Sequence, residues 1–121
     1  MKTLGIARLG RSAEVRYPPS GDPVTNLSLA FNFGKKDESG NRLTQWIDGS
    51  FWGARAEALA PYLLQGNQIF VELDDVHMEE YQKKDGTLGS KLVGRVSNIE
   101  LLSNKAPEQE GKTVVHDALP F

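Results

Sequence analysis

The segment Leu43–Gly53, "LTQWIDGSFWG", decides how the chain reads. Successive side chains of a strand point to opposite faces. Gln45, Ile47, Gly49 and Phe51 therefore share one face, and Trp46, Asp48, Ser50 and Trp52 share the other. A face carrying Ile47 and Phe51 calls for burial, which leaves two tryptophans on the opposite side with a carboxylate and a hydroxyl between them. Strand phase alone leaves two roles open for these indoles: packing in a core or subunit interface, or standing free to receive a ligand.

The flanking sequence has the same character. Upstream, "VTNLSLAFNF" (24–33) alternates, with Leu27, Leu29, Phe31 and Phe33 on one face and Asn26, Ser28, Ala30 and Asn32 on the other. The charged "KKDESGNR" (35–42) between these two strands is a hairpin loop. Earlier still, "TLGIARLG" (3–10) and "AEVRY" (13–17) are strand-like pieces broken at Gly10. Downstream, "ARAEALAPYLLQG" (54–66) is the one helical stretch, with Ala56, Leu59, Ala60 and Leu63 at helical spacing. Pro61 predicts a kink or restart inside it, and Gly66 a stop. Two more strands follow, "QIFVELDDVHMEEY" (68–81) and "SKLVGRVSNIELL" (90–102), joined by the turn "KKDGTLG" (83–89). This order predicts an all-β fold: a five-stranded Greek-key OB barrel with one short helix between the third and fourth strands. The polar, aperiodic "SNKAPEQEGK" (103–112) reads as a linker. We therefore expect a domain over 1–102 and a short flexible tail over 103–121.

Bulk properties limit the function classes. A chain of 121 residues with 39% hydrophobic and 25% charged residues is in the range of a single soluble domain. No apolar run approaches the ~18 residues of a membrane span, and "MKTLGIARLGRSAEV" lacks the apolar core of an export signal. Cysteine is absent, which fits a reducing compartment, so the expected location is cytoplasmic. The net charge of −2 is unevenly spread. Residues 1–36 carry six Lys or Arg (Lys2, Arg8, Arg11, Arg16, Lys35, Lys36) against two acids, Glu14 and Asp22, whereas residues 37–102 carry six basic against eleven acidic. A polyanion would meet the N-terminal third first. Catalysis is not expected: no cysteine nucleophile or Gly-rich phosphate loop is present, and His77 and His116 lack metal-ligand spacing. No cofactor or metal is expected.

Four blocks together carry a family resemblance: "RLGRSAEVRYPPSG" (8–21), "VTNLSLAFN" (24–32), "TQWIDGSFWGARAEALAPYLLQGNQIFVE" (44–72) and "KKDGTLG" (83–89). The chain resembles the bacterial single-stranded DNA-binding protein family over about residues 3–102, and again in an acid followed by "PF" at its last residues. The resemblance implies sequence-nonspecific binding and protection of single-stranded DNA in replication, recombination and repair. It also implies a homo-oligomer, with a tetramer favoured over a dimer.

An exposed aromatic ring stacks on any unpaired base, so the family's mechanism assigns roles by residue type. Trp46 stands where the family has a tryptophan, and Trp52 where it usually has phenylalanine. Tyr81 stands where a further aromatic precedes the last hairpin loop. Phe33 is the nearest match to the aromatic of the first hairpin, although its phase groups it with the core set. Arg8, Arg11, Arg16, Lys35, Lys36, Arg42, Lys83 and Lys84 lie on or beside the first strands and the two hairpin loops, where they are expected to meet phosphates. Two departures stand out. The family commonly runs basic just before the Tyr81 position, where this chain has "DDVHMEEY" with Asp74, Asp75, Glu79 and Glu80. Relatives often carry a histidine linked to subunit packing where this chain has Ile47.

The last residues, "VVHDALPF" (114–121), resemble the family's partner-recruiting tip. Asp117, Leu119, Pro120 and Phe121 are the expected partner-binding residues, offering an apolar plug and carboxylates to a basic pocket on replication or repair proteins. Only Asp117 precedes "ALPF", where the family tip carries several acids. The rival reading is an OB-fold primosomal or recombination accessory protein that works through protein contacts, favoured by the acidic stretch 74–80.

Overall fold

The structure, a computed structural model, describes residues 1–102. The tail residues Asp117, Leu119, Pro120 and Phe121 lie outside the described residues. Six strands form in chain order: β1 (Thr3–Leu9), β2 (Glu14–Arg16), β3 (Val24–Phe33), β4 (Leu43–Trp52), β5 (Gln68–Gln82) and β6 (Leu88–Leu101). Between β4 and β5 lies α1 (Ala54–Leu59), continued by a 3₁₀ turn, Ala60–Tyr62.

The strands are neighbours in the order β1-β5-β6-β4-β3-β2, and β1 returns to pair β3 at Arg8↔Ala30 and Leu9↔Leu29. This last ladder closes the ring. With β1 and β2 taken as one strand broken around Gly10, the result is the five-stranded OB barrel, with its short helix between the third and fourth strands. Four of the five ladders of the closed ring are antiparallel; β4 and β6 run parallel, at Ile47↔Leu92 through Ser50↔Arg95.

Alternation sets most of the core, and a slip of the β5–β6 register between Glu72 and Leu73 brings both Val96 and Ile99, three residues apart, to the inner face. Leu27 and Leu29 from β3, Ile47 and Phe51 from β4, Val71 and Leu73 from β5, and Val96 and Ile99 from β6 are all buried. Packing is tight at Gly49, where an added Cβ would stand 3.0 Å from a Val96 methyl and 3.2 Å from one on Leu29. Glycine lets three strands meet there.

The helical stretch behaves as its proline demands. α1 ends at Leu59 and a 3₁₀ turn restarts with Pro61 in its first positions, where the missing N–H costs nothing. Ala56 and Leu63 plug the barrel, both fully buried. Gly66 then turns the chain at φ 88° and donates its N–H to the Leu9 carbonyl at 2.8 Å. An L-residue there is strained, so Gly66→Ala is expected to cost about 1–2 kcal/mol, read as a lower urea midpoint with an unchanged slope.

Phe33 departs from its expected phase with the core. It is 47% exposed, and every residue from Asn32 to Trp46 is exposed. The β3–β4 hairpin runs past the barrel wall, so its apolar face has no core beneath it.

Candidate nucleic-acid interface

The outward face of β4 carries Trp46 and Trp52, 50% and 48% exposed. Six residues of strand separate them by about 20 Å. Small neighbours place the first indole. Trp46 lies opposite Ala30 in the β3–β4 register and rests on the backbone of Gly10. A Cβ on Gly10 would fall 2.5 Å from Cζ3 and 2.8 Å from Cη2 of that ring. The ring sits at the surface and can swing away, so Gly10→Ala is expected to leave the urea midpoint nearly unchanged while moving the indole off its seat. Any ligand stacked on that ring is expected to lose up to about tenfold in affinity with it, within the range of one stacking contact.

Between the indoles the outward side chains are polar: Asp48 and Ser50 on β4, with Ser28 and Asn26 opposite them on β3. Beside Trp52 this floor deepens into a groove of about 620 Å³ that also takes Arg11, Arg16, His77, Lys91 and Arg95 among its walls. Of the sequence-predicted residues, Trp52, Arg11 and Arg16 thus come together at one groove.

The others fall elsewhere. Lys35, Lys36 and Arg42 sit exposed around the β3–β4 hairpin with Phe33, where Arg42 Nε donates to the Gly34 carbonyl at 3.0 Å. Arg8 donates to the Gly66 carbonyl at 2.6 Å, which ties its guanidinium to the end of the helical segment. Tyr81, 42% exposed, lies with Lys83 and Lys84 on the β5–β6 hairpin. Tyr81 and Lys83 converge over Gly89, where an added Cβ would come within 2.9 Å of the ring and 2.8 Å of the lysine's Cε.

Sequence reasoning missed Lys91 and Arg95. Their alternation on β6 was visible, but the parallel ladder that sets them beside β4 was not. The Lys91 ammonium stands 5.6 Å over the Tyr81 ring and 3.4 Å from Asp48. Arg95 bonds Asp75 at 2.8 Å.

The acidic stretch has its own geometry. A β-bulge in β5 between Asp74 and His77, with Asp75 at φ 56°, turns two consecutive carboxylates toward Arg95. Asp74 is held below the usual carboxylate range, mainly by its hydrogen bond from Lys2 at 2.9 Å. His77 is held above its ordinary value by the Asp75 carbonyl at Nδ1 and, second, by Glu79 at Nε2. Its folding contribution is therefore present below the unfolded pKa and is lost as pH rises through the raised folded one. Tyr17 donates to Glu57, tying the 17–23 loop to α1. Among the described residues no three His, Asp or Glu side chains gather to hold a metal, and no helix is long and apolar enough to cross a membrane.

Comparison with known proteins points to one family. The model of the "Single-strand binding protein family" matches residues 2–102. "Single-stranded DNA-binding protein 1" of Synechocystis is 38% identical over 109 residues, covering 87% of this chain and 85% of its own length. The single-stranded DNA-binding protein of Neisseria meningitidis is 37% identical over 118 residues, covering 91% of this chain and 67% of that one. A deletion mutant of the single-stranded DNA binding protein from Thermus aquaticus superposes at a TM-score of 0.63 with 26% identity over 84% of this chain. The match spans about half of that longer chain, 49%. By family model, by identity and by fold, the chain belongs to the single-strand binding protein family.

Proposed function

We propose that the chain coats and protects single-stranded DNA without sequence preference. Unpaired bases stack on Trp46 and Trp52, with Phe33 and Tyr81 at the two hairpins, and phosphates meet Arg11, Arg16 and the hairpin lysines. The observation that carries this reading is the pair of half-exposed indoles on one strand face, with hydrogen-bonding side chains instead of apolar ones between them. Family membership and the names of the relatives support it. The role is binding, not catalysis, and belongs to replication, recombination and repair in the cytoplasm. Competition tests it: unlabelled oligo(dT) should displace a bound fluorescent single strand at concentrations where duplex of equal length does not. Equal displacement by duplex sinks the proposal.

The protein acts as a homo-oligomer, a tetramer in preference to a dimer. Leu4 and Ile6 share one face of β1 and are each 58% exposed, an adjacent apolar pair that a second barrel would cover. Joining barrels along one strand raises avidity without new contacts. Light scattering should give a multiple of the chain mass, and Leu4→Glu with Ile6→Glu should return the single-chain mass. The "DALPF" residues (117–121) recruit partner proteins. A second reading, an accessory protein acting through protein contacts, draws on the exposed Asp75, Glu79 and Glu80. Its mark is an absence of single-strand binding even in low salt.

A further inference from the structure

We infer that Lys91 and Arg95 are phosphate-binding side chains held in reserve by carboxylates of their own groove, so that a DNA strand binds by exchanging with Asp48 and Asp75. The inference rests on the single-strand reading above and adds to it two binding residues and a built-in competitor.

Position comes first. β6 runs parallel beside β4 with Arg95 opposite Ser50 and Val93 opposite Asp48, so both cations project beside the strand that carries the indoles. Lys91 and Arg95 line the same groove as Trp52, and Lys91 also covers the Tyr81 ring at 5.6 Å. A strand passing from Trp52 to Tyr81 crosses both. Neither is needed for the core: their side chains are 45% and 56% exposed.

Engagement comes second. Lys91 Nζ stands 3.4 Å from Asp48 Oδ2, and Arg95 Nη1 bonds Asp75 Oδ2 at 2.8 Å with Asp74 at 3.8 Å from Nη2. The acids nearest the two cations on β5 have other contacts of their own, while Glu14, Arg11 and Arg16 line the same groove outside any ion pair among the described residues. Asp74 has Lys2 at 2.9 Å, and Glu79, opposite Lys91 in the ladder, has His77 at 3.1 Å. Release of Arg95 therefore leaves only Asp75, 67% exposed, to return to water, and release of Lys91 leaves Asp48, 45% exposed.

Exposed pairs of this kind are weak, whereas a guanidinium meets phosphate with two parallel hydrogen bonds. Exchange is thus open to DNA, but the carboxylates left nearby repel it. The groove binds less tightly than its count of cations implies.

The test is a fluorescence titration of the full chain with oligo(dT) over a series of salt concentrations. Asp48→Asn and Asp75→Asn keep shape and remove charge. Each is expected to tighten binding on the order of fivefold, the scale of a surface ion pair, and to steepen the salt slope by up to about 0.7. Lys91→Gln with Arg95→Gln should weaken binding, and more so in the Asn background than in the parent, because the cations are free there. If the parent binds while the Asn variants match it in affinity and slope, the latch is wrong and the single-strand reading stands. If neither parent nor Asn variants bind in low salt, both fall. Circular dichroism of each variant separates a lost contact from a lost fold.

Discussion

Replacing Trp46 and Trp52 together by alanine is expected to weaken single-strand binding by about 2–6 kcal/mol, since each base–aromatic stack is worth roughly 1–3 kcal/mol. In dissociation constants that is about 30-fold to 10⁴-fold. The fold should survive, because neither ring belongs to the core that Leu27, Leu29, Ile47 and Phe51 build on the other face of the sheet. An equilibrium titration by anisotropy with labelled oligo(dT) measures the loss, and urea unfolding followed by circular dichroism checks the fold. The single variants should divide the effect unequally. Trp46 leans on Gly10 and is held in place before any base arrives, whereas Trp52 borders the groove. A double variant that keeps parental affinity excludes stacking on β4 as the mechanism.

Binding should also fall steeply with salt. Each phosphate neutralised on a single strand contributes about −0.7 to the slope of log K against log salt. Arg11 and Arg16 at the groove, with Lys35, Lys36, Lys83 and Lys84 on the hairpins, are exposed cations with no ion-pair partner among the described residues. If about five of them meet phosphates, the slope is about −3.5, and affinity drops about 100-fold between 50 and 200 mM salt. The carboxylates of the 74–80 stretch act against this from the same side of the barrel, so the slope reports how far the strand reaches toward Tyr81. A slope near zero points to a ligand without a phosphate backbone.

What could be read from the sequence follows from the range of the interactions involved. The alternation in 43–52 is local, so the separation of Ile47 and Phe51 from Trp46 and Trp52 was visible residue by residue, and the structure has the first pair buried and the second half exposed. Pro61 and Gly66 act through their own backbones, which made the restart and the stop legible. Phe33 shows the limit of local phase: alternation gives a face, but whether a core lies beneath that face depends on how far the hairpin extends beyond the barrel. Lys91 and Arg95 were out of reach for another reason. Their meeting with Asp48 and Asp75 needs the parallel β4–β6 ladder and the bulge at Asp74–His77, contacts between segments about 20 to 45 residues apart that leave no periodic trace. The acids of 74–80 were conspicuous as charge, but not as partners already engaged.

The account stands on unpaired bases reaching the two indoles of β4, and the chain's own fluorescence reports it, since Trp46 and Trp52 are its only tryptophans. Oligo(dT) added in low salt should quench that emission to a saturating plateau, and raising the salt should restore it. Emission that stays constant while anisotropy shows the oligonucleotide bound would contradict the account, because the strand would then be held without touching either ring.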